Sequence, residues 1–172
     1  AGDVLSVAKL AIGPQEGAAD LVPKLAQLGA DLLCKTLDTL EKGEVLPQPQ
    51  DESAASYAPL LKKTHGIADF SLPAQGVYDR FRAFHERPGF YAALKGQTLK
   101  LLAMDAPRQA SGADSPGTLV AVTSEGFEIS CGDSKNVIIG QVQAAGTKAM
   151  PAADFARGHG ILPGMKFEIP VL

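Results

Sequence analysis

Apolar residues fall along this chain in three rhythms. From residue 4 to 12 (VLSVAKLAI) they form a near-continuous run that stops at Gly13-Pro14, the pattern of a buried strand ending in a turn. From Leu21 to Leu40 they recur at spacings of three and four (Leu21, Leu25, Leu28, Leu32, Leu33, Leu37, Leu40), one stripe along a helix. Asp20 reads as its N-cap, which keeps Pro23 in the first turn. Gly29 is a candidate break and Gly43 a C-terminal stop. A lone strand with one helix cannot bury its own faces and edges. Residues 1–45 therefore predict the end of an α/β domain whose other strands lie elsewhere.

Residues 46–59, LPQPQDESAASYAP, have no period and are rich in Pro, Gln and Ser, as a linker is. Residues 73–85 predict a short helix with Pro73 in its first turn. Val77, Phe81 and Phe84 share its apolar face, while Arg80 and Arg82 lie off it, so at least one should face solvent. From residue 89 short apolar or alternating runs are divided by turn signals: FYAAL, TLKLLAM, GTLVAVT, FEISCG and NVIIGQVQ. Lys95-Gly96 and Glu125-Gly126 read as hairpin turns. Five such strands predict a small barrel or curled sheet, because closure removes exposed edges. AADFARGHG predicts a short helix, and Pro163-Gly164 turns into a last strand, MKFEI. No internal repeat is present.

Composition narrows the class. Of 172 residues 45% are hydrophobic and 20% charged, enough apolar surface to exclude a wholly disordered chain. No apolar run reaches the roughly 18 residues of a membrane span, and the opening AGDVLSVAKL does not read as a signal peptide. Cys34 and Cys131 have no CxxC partner, which argues against a disulfide framework or zinc site and fits a reducing compartment. Cys34, on the helix stripe, reads as a small core residue. Cys131 has no His nearby in sequence to activate it as a nucleophile. His65, His85 and His159 are scattered without a helical pair, so no metal site is expected.

The net charge of -3 hides an asymmetry. Residues 1–60 hold four basic and nine acidic residues; residues 61–108 hold eight basic and four acidic. A polyanion would be met by the central segment, where the bland alternative is a merely solvated surface.

Several stretches are then familiar together. PQPQDESAASYAP at 47–59 resembles the linker of methionyl-tRNA formyltransferases. CGD at 131–133 and VQAAGTKAMPAADFARGHGILPG at 142–164 resemble that family's C-terminal signature, and GDVL at 2–5 resembles the strand that follows its Asp-Thr-Gly motif. The likeness runs over almost the whole chain in one order. It implies a two-part α+β fold: the terminal strand and helices of a Rossmann-like formyltransferase domain (1–45), a linker (46–72), and a C-terminal OB-like β-barrel with its leading helix (73–172).

The activity implied is transfer of a formyl group from 10-formyltetrahydrofolate to the amino group of methionyl initiator tRNA, with no metal. The family's catalytic Asn and His belong to a motif absent from this chain. Its catalytic Asp would stand just before Ala1, which occupies the Thr position. The resemblance thus implies that this portion carries no catalytic residue, mainly holds tRNA, and is inactive alone. It also implies an upstream catalytic half that binds the folate and discriminates the acceptor stem. A monomer with no membrane segment is expected, in the cytoplasm or an organellar matrix.

The tRNA-binding residues carried over are Lys62, Lys63, Arg80, Arg82, Arg87 and Lys148. Lys63 matches the second Lys of the family's K-L-S-K pattern and Lys62 stands at its Ser. Arg80 and Arg82 match basic positions of the inter-domain helix. Arg87 is an added charge where the N-P-W-P-like motif reads His85-Glu86-Arg87-Pro88 and its Trp is lost. The family's R-I-D-W reads Ile67-Ala68-Asp69-Phe70, without the Arg. Lys148 follows Ala-Gly-Thr where the family has a Lys after Gly. Against phosphate contact stand solvated lysines at 62, 63 and 148, and ion pairs of Arg80 or Arg82 with Asp79 or Glu86. Two other functions fit less of the chain: a folate-dependent formyltransferase or hydrolase acting on a sugar nucleotide or on folate, and a free-standing RNA-binding barrel.

Overall fold

The computed structural model describes residues 2–110 and 114–170. The chain forms two compact units, 1–60 and 61–172. Ala1, set by the resemblance at the Thr of the catalytic motif, lies outside the described residues.

The first unit is built on helix α1, Ala18–Glu41. It starts earlier than the Asp20 cap predicts. Gly17 is the N-cap, and Asp20 lies three residues inside, accepting a 2.9 Å hydrogen bond from the Gly17 N–H. Ala18 and Ala19 favour the extra residues, which moves Pro23 beyond the first turn. Gly29 does not break the helix. Gly43 stops it as expected: its φ is +69°, its N–H bonds Leu40 O, and the N–H of Glu44 reaches back to Thr39 O at 3.0 Å, a Schellman motif.

The strand predicted at 4–12 does not form. Val4 makes one antiparallel bridge with Gln48, two hydrogen bonds of 2.9 Å, and the rest of the run is unpaired. Leu5, Val7, Leu10 and Ile12 are exposed. An apolar run becomes a strand only where a neighbour supplies the ladder, and none is present among the described residues of this unit. The helix stripe is only half covered: Leu21, Leu28 and Leu32 are partly exposed, Leu25, Leu33, Leu37 and Leu40 are exposed, and no residue of α1 is buried. Cys34 is exposed too, against the expectation of a core residue.

The second unit is a curled antiparallel sheet with two helices. Helix α2 (Ala74–Phe84) leads into an irregular turn, His85–Gly89. The strands are β1 (Tyr91–Leu94), β2 (Gln97–Gln109), β3 (Leu119–Val122), β4 (Phe127–Ser130), β5 (Lys135–Ala144), β6 (Met150–Pro151) and β7 (Phe167–Glu168). Helix α3 (Ala152–His159) follows β6. The order is β3-β4-β5-β2-β1-β7, with β6 beside β5. A bridge between Thr118 and Lys166 joins the free side of β3 to the chain entering β7, so the two ends of the sheet meet.

Lys95 and Gly96, both at positive φ, make the expected two-residue turn between β1 and β2. The β3–β4 turn is centred on Ser124 and Glu125, one residue earlier than predicted, with Thr123 and Gly126 exchanging backbone hydrogen bonds. Gly126 is needed for another reason: a Cβ there would lie 2.0 Å from Ile139 O. The core joins both helices to the sheet through Val77 and Phe81 of α2 and Phe155 of α3, with Phe90, Leu99 and Phe127. Ala68 and Phe70, from the stretch read as linker, are buried in it too.

Candidate nucleic-acid interface

All six predicted contact residues lie in the second unit, and the structure divides them. Lys62 is the N-cap of a 3₁₀ turn, Lys63–Gly66, and both lysines are exposed. The turn is closed by the His65 N–H on Lys62 O at 3.0 Å and by the Lys62 N–H on His65 Nδ1 at 3.2 Å. Gly66 ends it and is buried against Gly89: a Cβ on Gly66 would stand 1.8 Å from Gly89 O. Only a residue without a side chain allows this approach. It seats the lysine turn against the segment that carries Arg87, exposed and in extended backbone.

Arg80 braces the same junction. Its Nη2 donates to His65 O at 2.9 Å, and its guanidinium lies 5.6 Å from the centroid of the Phe84 ring. Arg82 is separate. Two residues on, it lies about 200° further around the helix, where Nη2 donates to Asp79 Oδ1 at 2.7 Å and the guanidinium sits over Tyr78 at 5.5 Å. That hydrogen bond holds the Asp79 carboxyl below the usual carboxylate range. The ion pair weighed against phosphate contact is thus formed by Arg82. Both arginines are partly exposed, each laid along an aromatic ring.

Lys148 is exposed on the turn between β5 and β6, where Gly146 (φ +73°) supplies the expected backbone. Two residues outside the six, Tyr91 and Lys100 (the latter one of the eight basic residues of 61–108), lie between this turn and the Arg87 segment. Tyr91 Oη donates to Pro88 O at 3.3 Å, and Tyr91 faces Lys100 across β1 and β2. The signal was available in the alternation of β2, where Leu99 and Leu101 are buried and Lys100 between them is not.

The other chemistry-bearing residues are structural. Cys131 is buried, and desolvation together with the nearby Asp133 charge pushes its thiol up to about 12. The rings of His85 and His159 stack on Phe81 and Phe155 at 4.7 and 4.0 Å. Among the described residues no group of His, Cys, Asp and Glu is placed to hold a metal ion, and no helix is long and apolar enough to cross a membrane.

Residues 60–160 match the family model described as formyl transferase, C-terminal domain. The chain is 41% identical over 153 residues to the methionyl-tRNA formyltransferase of Trichlorobacter lovleyi, covering 89% of this chain and 47% of that protein. It is 40% identical over 173 residues to that of Synechococcus sp. (strain JA-2-3B'a(2-13)), covering 97% and 53%. The chain thus spans about half the length of the curated relatives it matches. Among solved structures, HypX from Aquifex aeolicus in complex with tetrahydrofolic acid is similar with a TM-score of 0.64 at 20% identity, over 99% of this chain and 29% of that one. At that identity the likeness bears on fold alone.

Proposed function

Since the chain belongs to the family of the formyl transferase C-terminal domain, we propose that it is the tRNA-holding part of a methionyl-tRNA formyltransferase. The curled sheet with its bridged ends is read as an OB-like barrel. The reaction is formyl transfer from 10-formyltetrahydrofolate to methionyl initiator tRNA. Folate and catalytic residues belong to an upstream Rossmann-like half, against which the exposed leucines of α1 (Leu25, Leu33, Leu37 and Leu40) pack. The protein acts as a monomer, in the cytoplasm or an organellar matrix.

The observation that carries this reading is the Gly66–Gly89 approach, which gathers Lys62, Lys63 and Arg87 on one junction. Lysine acts on phosphate as a point charge and tolerates shifts of position, so these groups supply affinity and orientation rather than sequence readout. Arg80 holds the turn in place, and Arg82 is kept from the RNA by Asp79.

Filter binding of initiator tRNA at rising salt tests it. Neutralising about three phosphates gives a slope of log affinity against log salt near -2.7; a flat curve overturns the reading. The chain alone should give no turnover with folate donor and methionyl-tRNA, and measurable formylation would overturn the absence of catalytic residues.

A further inference from the structure

Across the middle of the sheet, three residues stand in one row. Tyr91 of β1 is paired with Lys100 of β2, and Lys100 with Gln143 of β5. Directly opposed residues put their side chains on the same face of a sheet. The neighbouring pair, Leu99 with Ala144, is buried and points into the core, so this row lies on the outer face. All three side chains are partly exposed.

The row is held at both ends. A Cβ on Gly89 would collide with the Tyr91 ring, so the ring rests on bare backbone, and Tyr91 Oη bonds Pro88 O at 3.3 Å. At the other end Gln143 Nε2 donates to Thr147 O at 2.8 Å, which leaves Oε1 as an acceptor and ties the row to the turn bearing Lys148. Tyr91, Lys100 and Gln143 also line a shallow cleft of about 230 Å³, walled by residues 144–146.

A ring pinned beside a cleft, with a cation next to it and another on the bordering turn, suits one chemistry: an unstacked nucleobase with its flanking phosphates. We infer that Tyr91, Lys100 and Gln143, with Lys148, form a platform for a single-stranded stretch of RNA. The base lies against Tyr91, Gln143 Oε1 accepts from its exocyclic amine, and Lys100 and Lys148 meet the phosphates. Arg87, next to Pro88, continues the cationic line toward Lys62 and Lys63. Glu168, opposite Ala93 on β7, is the carboxylate bordering the row and turns the RNA strand away from that side. This rests on the tRNA-holding reading and adds which feature of the RNA, an unpaired segment, the sheet face selects.

The test uses this chain with two probes: a short single-stranded oligoadenylate containing 2-aminopurine, and a duplex RNA of equal length. Wild type should bind the single strand more tightly and quench its 2-aminopurine fluorescence. Tyr91→Leu should lose the quenching and weaken single-strand binding about tenfold or more, leaving duplex binding unchanged, while Tyr91→Phe keeps the stacking. Should Tyr91→Leu fail to fold, Lys100→Gln carries the test, with an expected reduction of about 0.7 in the single-strand salt slope. Equal affinity for both probes, or quenching that survives Tyr91→Leu, overturns the platform. If Lys62→Glu and Lys63→Glu still weaken tRNA binding, the tRNA-holding reading stands without it; if they too are neutral, both fall.

Discussion

Asp133, on the turn between β4 and β5, accepts a 2.9 Å hydrogen bond from the backbone N–H of Ala74, the first residue of α2. The helix has Pro73 at its N-cap, which has no side-chain acceptor to offer. A residue 59 positions away fills that role. Its neighbour Gly132 makes this feasible: the Gly132 N–H bonds Leu72 O at 2.9 Å, and a Cβ there would lie 1.9 Å from Ser71 O. With Cys131 buried beneath, the Cys-Gly-Asp triplet clamps α2 to the sheet.

Asp133→Ala should therefore cost about 1 kcal/mol, the usual value of a lost N-cap, measured by urea unfolding at neutral pH. The Ala74 hydrogen bond holds the Asp133 carboxyl below its ordinary value. Its contribution is full above the unfolded carboxyl value near 3.8 and is lost as pH falls through the lower folded value. Asp133→Asn retains an acceptor and should keep most of the stability while losing that acid-range dependence. Equal acid sensitivity of wild type and Asp133→Asn would show that the cap contributes nothing.

Two glycine substitutions should move stability in opposite directions. Gly66→Ala drives a methyl into Gly89 O, and overpacking of this kind costs about 1–3 kcal/mol. It should also weaken tRNA binding, because the lysine turn is pushed off the Arg87 segment. Gly29→Ala meets no atom within 4 Å inside α1 and should gain up to about 1 kcal/mol of helix propensity. Urea unfolding of both variants, with filter binding of the first, checks the pair.

Much of the second unit was legible because its signals are local. Alternation around Lys100 and the Lys95-Gly96 turn mark β1 and β2 without knowledge of any partner. Where pairing is remote, the reading failed. β2 runs on to Gln109 because β5 pairs with it across three register shifts, and β6 exists only as a two-residue addition to β5. Residues 4–12 have the composition of a strand but no neighbouring ladder, so they remain unpaired beyond Val4. The site divided in the same way. Lys62, Lys63 and Arg87 lie exposed in the basic segment that charge marked, and the pairing of Arg82 with Asp79 was one of the sequence's own alternatives, whereas the bracing of Arg80 on His65 O and Phe84 depends on a contact 15 residues away that no local signal carries.

The arginines should therefore separate in binding. Arg87→Ala should weaken tRNA affinity and lower the salt slope by about 0.9, the signature of one lost phosphate contact on duplex RNA treated as on B-DNA. Arg82→Ala should leave the slope unchanged and cost up to about 1 kcal/mol, since it removes an ion pair whose Asp79 carboxylate is half exposed. Filter binding over a salt series distinguishes them, and a reduced slope for Arg82→Ala would place that guanidinium on the RNA.

The two thiols should differ as sharply. Cys34 is exposed on α1, while Cys131 is buried and pushed up to about 12. Burial therefore keeps Cys131 as the unreactive thiol at pH 8, and the reagent cannot reach it. Reaction of the native chain with a disulfide reagent should release one equivalent quickly. The second equivalent should follow only on unfolding, because the clamp of residues 131–133 on α2 must open before the sulfur is reached. Asp133→Ala should speed that second phase by removing the cap that keeps the clamp shut. Two fast thiols in the wild-type chain would mean that Cys131 is not shielded as its burial requires.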